Sequence, residues 1–101
     1  MIVIGQTREV YKDDKYPSIG EIVGKPIKEK DKILSYMKNC KISSVSPAIV
    51  TDVINPKKKI NELYCMTDGT YGWRSDVIYY VEKYDMALPD EFVQYVLNQV
   101  K

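Results

Sequence analysis

Between Asp68 and Phe92 the chain reads D-G-T-Y-G-W-R-S-D-V-I-Y-Y-V-E-K-Y-D-M-A-L-P-D-E-F, and this run carries a turn signal and two helix starts in quick succession. Asp68-Gly69 suits a tight type I′ turn, whose central residues take positive φ, so Thr70 to Trp73 is expected to pair back on the strand before it. Ser75 is placed to cap the next helix, and Asp76 falls in the positive field of its first turn. A helix is predicted over 76–84. Leu88-Pro89-Asp90-Glu91 opens another, with proline tolerated at the first turn and two acids at the positive end. Phe92, Val93, Val96, Leu97 and Val100 are its expected buried stripe.

Upstream the punctuation is looser. Met1 to Ile4 is apolar enough for a short strand, and Gln6 to Gly24 loses periodicity, so residues 1–24 read as an irregular arm or edge strand. Ile27, Ile33, Leu34, Met37 and Cys40 recur at helical spacing and predict a helix over 28–40. The Val- and Ile-rich stretch around Pro47 suits an edge strand near Ala48 to Ile54. Asn55-Pro56-Lys57-Lys58 is a turn, after which Ile60 to Thr67 is expected to return antiparallel. The order of elements predicts an α+β fold, a small antiparallel meander of about three strands packed against three helices.

The chain has 101 residues, 45% hydrophobic and 29% charged, which suits a single folded domain over 1–101. It contains no histidine. That removes the commonest acid-base group and metal ligand, so triads and metal sites lose their usual members. No G-x-S-x-G, G-x-x-x-x-G-K-[ST] or G-x-G-x-x-G motif occurs. Asp52, Asp68 and Asp76 have no informative spacing for acid-base work or magnesium, and such carboxylates commonly cap turns and helices. The expectation is no enzyme, no catalytic residue, no cofactor and no metal.

Cys40 and Cys65 lack C-x-x-C spacing and are expected as buried free thiols. No secretory signal or membrane span is evident, so a cytoplasmic protein without membrane contact is expected.

Charge is uneven although the net is only +1. Nine lysines between Lys25 and Lys59 face only Glu29, Asp31 and Asp52, whereas 68–101 is acidic. The basic stretch reads either as a solvated face or as a dock for an acidic partner.

Six aromatic residues fall between Asp68 and Phe92, more ring surface than a small core needs. Tyr71, Trp73, Arg74, Tyr79 and Lys83 are therefore the candidate binding residues, since tryptophan, tyrosine and arginine are enriched among interface anchors. Trp73 also has a core reading. On a helical wheel Tyr79 falls with Asp76, Glu82 and Lys83, and is expected to point to solvent.

The block D-G-T-Y-G-W-R-S-D, followed by Y-Y-V-E-K-Y and L-P-D-E-F, resembles the ending of a group of small bacterial proteins, similar in size and style to immunity proteins of toxin systems. The resemblance covers the last third of the chain and carries over no functional residue. It implies a non-catalytic protein-binding module that occupies a toxin's working surface. Two rival readings stand beside it: a self-associating structural or regulatory protein, and a weak nucleic-acid binder using Lys25 to Lys59. The acidic end and scarcity of arginine count against nucleic acid.

Overall fold

A computed structural model describes residues 2–25, 27–46, 50–60 and 63–99. Along the chain run β1 (Ile2–Val3), α1 (Arg8–Tyr11), α2 (Ile19–Ile22), α3 (Lys30–Lys38), β2 (Lys41–Ser46), β3 (Val50–Thr51), β4 (Lys59–Ile60), β5 (Leu63–Thr67), β6 (Tyr71–Arg74), α4 (Ser75–Tyr84) and α5 (Asp90–Gln99). The class is α+β. Four strands form one sheet in the order β1-β6-β5-β2, and β3 and β4 form a separate two-stranded hairpin.

The sheet departs from a simple meander in two ways. β1 adds parallel to β6, through Ile2 N–H to the Thr70 carbonyl and Ile4 N–H to the Gly72 carbonyl, each 2.9 Å. The strand antiparallel to β5 is β2, not the expected segment near Ala48 to Ile54. Of that segment Ala48 and Ile49 lie outside the described residues, and Val50–Thr51 pairs locally with Lys59–Ile60. The proline turn forms as expected, with Lys58 N–H donating to the Asn55 carbonyl at 2.9 Å.

The β5–β6 turn is not type I′. Gly69 has φ +96°, but Asp68 has no positive φ. Register runs Met66 to Trp73 and Thr67 to Gly72, which leaves a longer loop. Asp68 closes it with its own side chain, Oδ1 accepting the Thr70 amide at 2.9 Å and the Tyr71 amide at 2.7 Å. An Asx turn has replaced the glycine-driven one.

The segment expected as an irregular arm is also tied down. Glu9 accepts from Ser18 Oγ at 2.5 Å and the Ile19 amide at 2.9 Å, and Arg8 N–H donates to the Pro17 carbonyl. Ile19 and Thr7 are buried. Ala87 N–H then reaches the Ile22 carbonyl at 2.7 Å, fastening the segment to the linker after α4.

α3, α4 and α5 lie on the inner face of the sheet and supply most of the core: Ile33, Leu34 and Met37, then Val77, Ile78, Tyr80 and Val81, then Phe92 and Val96. Val93 and Leu97 pack against this core, and Val100 lies outside the described residues. Ser75 is the first residue of α4 rather than its cap, and its Oγ accepts the Tyr64 amide at 3.1 Å. Both cysteines are free thiols, but neither is fully buried: Cys40 is half-buried, and Cys65 is exposed on the outer face of β5.

Candidate binding surface

Asp52 is completely buried. It follows β3, and its carboxylate is met from two sides. Oδ1 accepts the Ile54 amide at 2.8 Å and the Asn55 amide at 3.0 Å, which holds the start of the hairpin loop. Oδ2 accepts the Tyr79 hydroxyl at 2.7 Å and the Tyr84 hydroxyl at 2.6 Å, both from α4. Tyr80, on the same helix, accepts the Val53 amide on its hydroxyl oxygen at 3.1 Å. Three tyrosines and one aspartate thus fix the β3–β4 hairpin to α4.

No ion pair reaches Asp52 among the described residues, so its charge rests on these four donors. Burial works to raise its pKa, but the bonds from Tyr84, the Asn55 amide, Tyr79 and the Ile54 amide prevail and hold it below the usual carboxylate range. The Tyr84 hydroxyl, donating to that carboxylate, is pushed up to about 12.

Asp68 repeats the device. One oxygen takes the loop amides two and three residues on, and the other accepts the Tyr36 hydroxyl from α3 at 2.6 Å. Burial opposes ionisation here too, and the Tyr36 and amide hydrogen bonds outweigh it. A carboxylate whose folded pKa lies below its unfolded value adds stability that is present above the unfolded pKa and lost as pH falls through the folded one. Thermal stability is therefore expected to fall as pH drops below about 4. In an Asp52→Asn, Asp68→Asn double variant the melting temperature is lower at neutral pH and its acid slope is shallower; a series of melts from neutral to acid pH checks this.

The hairpin that Asp52 holds presents an exposed tip. Residues 54–59 are all exposed, and they include Ile54, Lys57, Lys58 and Lys59. Of the other six lysines of the basic stretch three are ion-paired, Lys30 with Asp85, Lys32 with Glu29 and Lys38 with Glu82, while Lys25, Lys28 and Lys41 are exposed and scattered outside the hairpin. Lys57, Lys58 and Lys59 form no ion pair with a described residue. Lys83 adds a cation beside the hub, 5.4 Å from the Tyr79 ring centre and 5.8 Å from that of Tyr84.

The five candidates separate. Tyr71 and Trp73 lie in the core, where both pack edge-on against Phe92 at 5.2 and 5.5 Å between ring centres. Trp73 is directly opposite Met66 on the inner face of the sheet, so its ring is not contact surface. Arg74, one residue on, turns to the outer face, donates to Asp76 at 3.0 Å and lies 5.8 Å over the Tyr11 ring. Asp76 is itself buried, and burial raises its carboxyl above the usual range despite the guanidinium beside it.

Tyr79 does not point freely to solvent. It is half-buried because the hairpin arrives against that side of α4 and offers Asp52 to its hydroxyl. Lys83 is exposed beside it. Sequence reasoning missed the hub residue, Asp52, and the tip it holds; the usable signal was an aspartate two and three residues before Ile54 and Asn55, an Asx-turn spacing.

Among the described residues no group of three His, Cys, Asp or Glu side chains is arranged to hold a metal, and no helix is long and apolar enough to cross a membrane. No protein-family model, curated protein or solved structure matches the chain.

Proposed function

We propose that the chain is a non-catalytic protein-binding module of the bacterial cytosol, an immunity-type inhibitor that blocks a toxin by covering its working surface with the β3–β4 hairpin. The observation that supports this reading is the pinning of that hairpin by Asp52. A loop held in shape before its partner arrives gives up little conformational freedom on binding. Its three neighbouring lysines favour an acidic surface, where they speed encounter and fix orientation. Ile54, 40% exposed, adds an apolar contact at the base of the loop. Lys83 continues the positive surface onto α4.

Replacing Lys57, Lys58 and Lys59 together by glutamate tests the proposal. An immunity protein is expected to be encoded beside its toxin, and titration calorimetry against that neighbouring protein is expected to show affinity reduced about 100-fold. The melting temperature is expected to stay within about 2 °C, because all three side chains are solvated. Undiminished affinity in the folded variant contradicts the reading. Retention of the unmodified chain on single-stranded DNA, falling steeply with salt, would favour the nucleic-acid reading instead.

A further inference from the structure

The sheet ends at β2, and every residue from Lys41 to Val45 is exposed. Two of them are β-branched and apolar, Ile42 at 50% and Val45 at 69% exposure. Their register explains why this matters. Ile42 lies opposite Met66 and Val45 opposite Tyr64, positions of like parity on β5, so both belong to the inner, apolar face of the sheet. A bulge between Ile42 and Ser44 allows residues three apart to share that face, and Ser43 Oγ donates to the Cys65 carbonyl at 3.2 Å across it. The inner face therefore continues past β5 onto a strand that no described helix covers.

We propose that a second copy of this chain pairs antiparallel with β2 about a two-fold axis between Ser43 and Ser44, joining the two four-stranded sheets into one. The order Lys41-Ile42-Ser43-Ser44-Val45-Ser46 is self-complementary in that register. Ile42 of each copy faces Val45 of the other on the inner face, serine faces serine at the centre, and Lys41 faces Ser46. The two Lys41 ammonium groups then sit at opposite ends of the paired strands, about 17 Å apart at ~3.4 Å per residue. That is beyond the screening length of about 8 Å at physiological salt. Parallel pairing, or a register that slides the lysines together, sets like charges side by side. The other sheet edge, β1, is only two residues long and offers no comparable ladder.

Lysine and proline are common guards against edge pairing. Here Lys41 and, in sequence, Pro47 stand at the two ends of the strand and leave Ile42 to Val45 unguarded. A single strand pair with four apolar side chains is a small interface, so the dimer forms on the order of tens of micromolar.

Sedimentation velocity from about one micromolar to about one millimolar decides the matter. The unmodified chain is expected to shift from monomer to dimer, and Ile42→Lys and Val45→Glu are each expected to remain monomeric with unchanged melting temperature. Mixed in equal amounts, the two variants are expected to dimerise again, because in this register the introduced lysine faces the introduced glutamate while the remaining Val45 faces Ile42. A chain that stays monomeric throughout overturns the proposal, as do single variants that still dimerise or a mixture that fails to recover. In the unmodified chain, amide exchange protection of Lys41 to Ser46 is expected to rise with concentration, and protection that stays flat also overturns it.

Discussion

Asp52→Ala is expected to destabilise the chain by about 3 kcal/mol, lowering the melting temperature by roughly 15 °C. The side chain is fully buried and accepts four hydrogen bonds, two from tyrosine hydroxyls and two from loop amides. Bonds to a charged acceptor contribute about 1.5–3 kcal/mol each in favourable cases. The loop amides recover part of that from water once the tip loosens, so the sum is smaller than four full bonds. The hydroxyls of Tyr79 and Tyr84 lose their acceptor together. Tyr79→Phe and Tyr84→Phe each remove one donor and are expected to cost about 1 kcal/mol. Denaturant melts of the three variants measure the series. A loss below about 1 kcal/mol for Asp52→Ala would mean that the hairpin is held by something else.

Gly5→Ala is expected to cost about 3–4 kcal/mol, from a different cause. The chain leaves β1 at Gly5 with φ +75° and crosses directly against α4. A Cβ there would stand 2.6 and 2.7 Å from the two γ carbons of Val77. Valine is β-branched and buried, so it has no free rotation with which to yield. Gly24→Ala separates the two contributions: it has φ +74° but open space around the added carbon. Its expected cost is the backbone strain alone, about 1 kcal/mol. Equal melting temperatures for the two variants would show that the contact with Val77 is relieved at little cost.

The elements legible in the sequence were those whose signals are local. α4 and α5 begin where Ser75-Asp76 and Pro89-Asp90-Glu91 place them, and α3 follows from the spacing of Ile33, Leu34 and Met37. β2 was hidden by its bulge. Apolar residues three apart, Ile42 and Val45, break strand alternation and carry a helical spacing instead. The segment before Gly24 has no periodicity because its cohesion comes from Glu9 reaching Ser18 and Ile19. The candidate site was half legible for the same reason. Tyr79 and Lys83 do lie together, but the wheel that turned Tyr79 outward could not include Asp52, which arrives from a hairpin 27 residues away in sequence. Trp73 and Arg74, adjacent in the chain, are both candidate binding residues by type, Trp73 with a core reading beside it. Strand alternation sends them to opposite faces of the sheet.

Hydrogen–deuterium exchange of the whole chain, with and without the protein encoded beside it, addresses the binding surface directly. Added protection concentrated in residues 54–59, together with the Tyr79 to Tyr84 end of α4, is the expected result. Protection confined to other surfaces, or an exchange pattern unaltered by a partner shown to bind, would contradict the assignment of the pinned hairpin as the contact.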